Sequence, residues 1–175
     1  GSAIDLDEPA KLEIADTDRH PQVRPQGDAP VGGHCPPTAR LALDAGCRGL
    51  LLTPPFYFRS IDDEGLYRWF SAFFERLGPA ARDMFVYHLP SVVGVSLSAS
   101  LIGRLKRAFP GVVVGVKDSS ATWSNTEVLL AEHSDLMILV GDERALARSV
   151  RGGGSGAISG IGNIAPQLLR PAACE

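Results

Sequence analysis

"GVVVGVKDSS" occupies Gly111–Ser120. Four valines lead directly into a lysine, an aspartate and two serines. Continuous apolar runs of this kind suit strands buried on both faces, as in a parallel sheet. The run ends on an amine, Lys117. An ammonium at the edge of an apolar core loses solvation, which favours the neutral form. A neutral amine is a nucleophile toward ketones, and the product is a Schiff base. A surface lysine closing a strand is the alternative for this stretch taken alone.

Working outward, four more strand candidates are apolar along their length: Gly49–Thr53, Met84–Leu89, Leu136–Val140 and Gly156–Gly160. Helical patterns lie between them. Thr38–Ala45 follows a Pro-Pro pair and stops at Gly46. Asp63–Leu77 carries Leu66, Trp69, Phe70, Phe73, Phe74 and Leu77 at the spacing of one helix face, with Asp62 or Asp63 as cap and Gly78-Pro79 as stop. Ser98–Phe109 ends at Pro110, and Asn125–His133 and Asp142–Val150 complete the set. Alternating strands and helices with short crossovers predict an α/β fold with a parallel sheet.

An open, doubly wound sheet and a (β/α)8 TIM barrel both satisfy that alternation. Arg151–Asn163 is glycine-rich but has the spacing of neither GxGxxG nor GxxxxGK[ST], and it contains a strand rather than opening a helix. Polar residues stand at several strand ends: Thr53, Tyr87-His88, Lys117-Asp118, Gly141-Asp142 and Ser159. In a barrel those ends converge on one mouth, which favours the barrel. Tyr87, ending the strand before that of Lys117, then falls beside the lysine, where a phenol can relay protons.

The 175 residues carry a net charge of −3 and no basic run, so nothing marks a nucleic-acid or anionic membrane partner. No apolar stretch reaches the roughly 18 residues of a membrane span. No signal peptide is visible, and Gly1-Ser2 reads as an expression scar. Cys35, Cys47 and Cys174 lack CxxC spacing and suggest thiols in a reducing cytoplasm. His34-Cys35 near Cys47 lacks the further ligands a zinc site needs. Residues 1–30, rich in Asp, Glu, Pro and Arg, read as irregular or poorly ordered.

Five stretches in order, "TPPFYFRSIDDEGLYRWF" (Thr53–Phe70), "YHLPSVVGVSLS" (Tyr87–Ser98), "GVKDSS" (Gly115–Ser120), "VGDE" (Val140–Glu143) and "GAISGIGNIAP" (Gly156–Pro166), resemble the dihydrodipicolinate synthase / N-acetylneuraminate lyase family. These are class I, Schiff-base-forming aldolases on a (β/α)8 barrel. The resemblance spans about Val31 to Glu175 and implies a partial barrel over 31–175, covering about strands 3 to 8. It implies that Lys117 forms an imine with pyruvate or another 2-oxo acid, which then reacts with an aldehyde partner. It implies that Tyr87 shuttles protons and that Tyr57, or Phe56, reaches across a dimer interface. The Ile158 backbone carbonyl would line the site, with Thr53 at the neighbouring strand end. The resemblance implies no cofactor and no metal, and a homodimer or homotetramer.

Three departures from the family pattern stand out. The first is the lack of a G-T-T-G-E string to hold the substrate carboxylate, residues 1–30 being too few and too polar to supply the first two strands and their helices; the second is that the chain stops just after the expected eighth strand; the third is a missing arginine. True dihydrodipicolinate synthases tend to read Y-N-x-P-x-R, and Val92 takes the arginine's place. The substrate-contacting position is thus uncharged, which argues for a different aldehyde or oxo acid. A non-catalytic remnant of the family is the competing expectation.

Overall fold

The computed structural model describes residues 35–55, 61–165 and 169. The segment 1–30 and the residues Phe56 and Tyr57 lie outside the described residues. Among the described residues, five strands form one sheet: β1 (Leu50–Leu52), β2 (Met84–His88), β3 (Val113–Asp118), β4 (Met137–Val140) and β5 (Gly156–Ala157). They lie side by side in chain order, and every pairing is parallel. Helices α1 (Cys35–Asp44), α2 (Asp63–Leu77), α3 (Pro90–Val93), α4 (Ala99–Ala108), α5 (Trp123–Glu132), α6 (Leu146–Arg151) and α7 (Ile161–Ile164) intervene. The five strands and their helices are part of a (β/α)8 barrel.

The aromatic stripe of α2 explains how the helical layer holds. Leu66, Phe70, Phe73, Phe74 and Leu77 are all buried, and the Asp62 carboxylate accepts from the Gly65 N–H at 2.8 Å to start the helix. Phe74 meets Phe109, at the end of α4, edge to face at 5.1 Å. The helix-facing side of the sheet supplies Leu50, Leu52, Met84, Val86, Val116 and Ile138 to the same core. Burying one such side chain stabilises by roughly 1.5–3 kcal/mol, so this face dominates the stability of the unit.

The other face carries the site. Strand side chains alternate, so Phe85, Tyr87, Gly115 and Lys117 share the face turned away from the helices. A Cβ at Gly115 would lie 2.3 Å from Phe85 Cε1, so only glycine lets that ring lie across β3 below Lys117. Phe85 is buried yet stands apart from the helical core, consistent with a floor beneath the amine.

Several boundaries differ from the sequence expectation. Strand β3 runs on through Lys117 and Asp118, because both neighbouring strands pair with them: Lys117 stands opposite Tyr87 on one side and Leu139 on the other. The strand expected over Gly156–Gly160 stops at Ala157. The Ser159 hydroxyl accepts from the Ile161 N–H at 3.2 Å and donates to Glu143 at 2.8 Å, which turns the chain into α7. The helix expected from Asp142 begins as a 3-10 turn, Glu143–Ala145, before α6.

Candidate active site

Lys117 and Tyr87 face each other across adjacent strands. The Lys117 Nζ donates to the Tyr87 Oη at 2.9 Å and lies 4.1 Å from the centre of its ring. Lys117 is only 8% exposed, and among the described residues no carboxylate ion-pairs with it. A buried amine whose partner is a phenol keeps a lone pair within reach whenever it is neutral.

Ser119 supplies a second hydroxyl at this spot, one that sequence reasoning did not single out. Its Oγ donates to the Tyr87 Oη at 3.4 Å, a long contact. The signal was present in the alternation: if Lys117 faces the mouth, so does the residue two places on. Room for it comes from the next strand's end, where a Cβ on Gly141 would sit 1.9 Å from the Ser119 Oγ.

The next rung of the ladder carries a second polar group on the opposite face. His88 and Asp118 pair in register and point to the helix side, each 4% exposed. The His88 Nδ1 is 3.3 Å from Asp118 Oδ1, which also accepts from the Ser120 N–H at 3.0 Å. Asp118 Oδ2 accepts from the Thr126 hydroxyl on α5 at 2.6 Å. Burial pushes the Asp118 carboxyl up, but the bonds from His88, Thr126 and Ser120 outweigh it and hold the group well below the usual carboxylate range. The Asn125 amide nitrogen, Nδ2, lies 3.0 Å from the same His88 nitrogen. Nδ1 accepts from that amide when it carries no proton and donates toward the Asp118 carboxylate when it does.

The remaining expected residues take varied positions. Thr53 is half-buried, one residue past the Leu52–Val86 pair and therefore level with Tyr87. Ile158 is half-buried, and its N–H donates to the Val140 carbonyl at 3.0 Å, which leads the chain past the end of β4. Val92 lies on the short helix α3 and is 71% exposed. Asp142, polar at the end of β4, caps the following turn instead. It accepts from the Arg144 backbone N–H at 3.0 Å and holds the Arg144 guanidinium through both its oxygens.

Residues 37–173 match the model of the dihydrodipicolinate synthetase family. The chain belongs to that family. An uncharacterised DapA-like lyase of Chloroflexus aurantiacus is 34% identical over 132 residues, which cover 75% of this chain and 44% of that protein. A 4-hydroxy-tetrahydrodipicolinate synthase of Oleidesulfovibrio alaskensis is 33% identical over the same shares of the two chains. A crystal structure of dihydrodipicolinate synthase from Agrobacterium tumefaciens superposes with a TM-score of 0.75 at 57% identity, covering 78% of this chain and 49% of that one. The chain thus spans less than half the length of these dihydrodipicolinate synthetase relatives. Among its described residues no helix is long and apolar enough to cross a membrane, and no cluster of His, Cys, Asp and Glu could hold a metal.

Proposed function

We propose that the protein containing this chain is a lyase that forms a Schiff base between Lys117 and a 2-oxo acid such as pyruvate, and makes or breaks a carbon–carbon bond beside it. The observation that carries this reading is the Lys117 Nζ at 2.9 Å from the Tyr87 Oη, on a buried strand and with no competing carboxylate among the described residues. The neutral amine attacks the ketone carbon and gives a carbinolamine. Tyr87 delivers a proton to the departing oxygen, water leaves, and a protonated imine remains. Loss of a proton from the adjacent carbon gives an enamine, which adds to the carbonyl carbon of an aldehyde. Water then hydrolyses the imine and frees Lys117. Cleavage is the same sequence reversed.

Thr53 and the Ile158 carbonyl form the walls of the pocket in this reading, and Tyr57 reaches toward a neighbouring subunit's site. Membership in the family supports a homodimer or homotetramer in the cytoplasm, which sedimentation of the intact protein would check. Val92 offers no charge to an amino-aldehyde carboxylate, which supports a different aldehyde partner.

The test is reductive trapping. Pyruvate and borohydride near neutral pH should add mass to the peptide containing Gly115–Ser120, as a stable secondary amine on Lys117. A folded, intact protein that gives no adduct with any of a panel of 2-oxo acids would overturn the reading.

A further inference from the structure

We propose that His88 and Asp118 form a clamp behind the sheet that holds the Lys117 amine in register with the Tyr87 phenol. They act as positioning residues, and the proposal rests on the assignment of Lys117 as the imine-forming group.

The two pairs are consecutive rungs of one ladder: Tyr87 opposite Lys117, then His88 opposite Asp118. The first pair faces the site and the second faces the helices, so neither His88 nor Asp118 touches a substrate. The need for a clamp arises lower in the ladder. The β2–β3 register shifts between Met84 and Phe85, where Met84 stands opposite Val113 but Phe85 opposite Gly115. Above this irregularity a new register must be held by contacts between the two strands, and a slip of one residue would turn Lys117 to the helix side. The His88–Asp118 contact is specific to the observed register, because a slip separates the partners.

Asp118 also ties this rung to two other parts of the fold. Its oxygens accept from Ser120, in the loop carrying Ser119, and from Thr126 on α5. The main chain closes the arrangement, with the Ser119 N–H donating to the His88 carbonyl and the Gly141 N–H to the Asp118 carbonyl, both at 2.8 Å. The His88 Nε2, by contrast, is buried without a hydrogen-bond partner among the described residues. Only the Nδ1 side of the ring is used, so the contact has a definite atomic requirement. An asparagine can place its amide nitrogen near the position of Nδ1, whereas a glutamine places it near Nε2.

That difference supplies the test. The intact protein, with His88→Asn, His88→Gln and Thr126→Val variants, is trapped with pyruvate and borohydride, and thermal melts confirm folding. His88→Asn should trap within about twofold of the wild-type limiting rate. His88→Gln should be slower by about tenfold or more, since small misplacements of reacting groups carry large rate costs. Thr126→Val, which removes only a hydroxyl from Asp118, should slow the limiting rate by about threefold. In each slow variant the half-saturating pyruvate concentration should move less than the limiting rate. Absence of any wild-type adduct would overturn the Schiff-base reading and this proposal with it. A wild-type adduct with folded His88→Gln and Thr126→Val trapping at the wild-type rate would overturn the clamp alone, as would a His88→Asn as slow as His88→Gln. If His88→Gln does not fold, Thr126→Val decides: an unchanged rate overturns the clamp.

Discussion

The two faces of one sheet segment differ in how their buried polar groups are satisfied. On the site face, among the described residues, the Lys117 amine has one close polar partner, the Tyr87 hydroxyl, and that hydroxyl has one further, long contact to Ser119. On the helix face, Asp118 accepts from a backbone N–H and a threonine hydroxyl and pairs with an imidazole. Both faces bury ionisable groups, but only the second surrounds its charge with donors. A saturated carboxylate is locked in its ionised form and serves the architecture. An amine beside a single phenol is, in the proposed reading, left available for bond formation. Burial by itself therefore does not separate a structural group from a reactive one, whereas the count and kind of partners does.

Breaking the site face should have the largest effect. Lys117→Ala should abolish the borohydride-trapped pyruvate adduct, read by peptide mass. A persisting adduct would place the chemistry on another amine. Tyr87→Phe keeps the ring but removes the hydroxyl, and it should slow turnover by about 10²–10⁴-fold while leaving measurable labelling, as expected for a lost acid–base group. Steady-state rates and a trapping time course check this.

Breaking the helix face should act on stability. Asp118→Ala leaves His88 and Thr126 without their acceptor and should cost about 3–5 kcal/mol in a denaturant titration, as for a broken buried pair. The acid response follows from the depressed Asp118 carboxyl. A carboxylate lowered in the folded state contributes stability above its ordinary value of 3.8 and loses that contribution as pH falls below it. Wild-type melting temperature should therefore fall more steeply between about pH 5 and about pH 3 than that of Asp118→Asn. Equal slopes would mean that other carboxylates govern acid unfolding.

The smallest effect belongs to a position on neither face. Val92 is 71% exposed on α3, so Val92→Arg should change stability by no more than about 0.5 kcal/mol. Its value is in sharpening the site: if the missing charge alone excludes an amino-aldehyde, the variant should show more condensation with that substrate. An unchanged substrate profile would move the specificity elsewhere.

Much of this contrast was legible in the chain. Asp63–Leu77 is the observed α2 residue for residue, because its aromatic stripe and both its ends are local signals. The adjacency of Tyr87 and Lys117 follows from consecutive parallel strands. Less was legible where polar side chains redirect the backbone. Ser159 ends β5 after two residues by bonding Glu143 and the Ile161 N–H, and Asp142 turns back onto Arg144. Neither partner is marked by periodicity. Ser119 and the His88–Asp118 pair were visible as residue types, but their partners lie on the neighbouring strand or the following helix.

The order of strands and helices, the parallel sheet and the residues at the strand ends were determined by the sequence alone, since apolar run length, caps and breakers act over a few neighbouring residues. Tertiary structure alone decided that β3 continues through Lys117 and Asp118, and which of two adjacent polar residues faces the site. Those outcomes depend on the β2–β3 register above an irregular pair, and register is set by contacts between segments about thirty residues apart rather than by any one segment's own propensity.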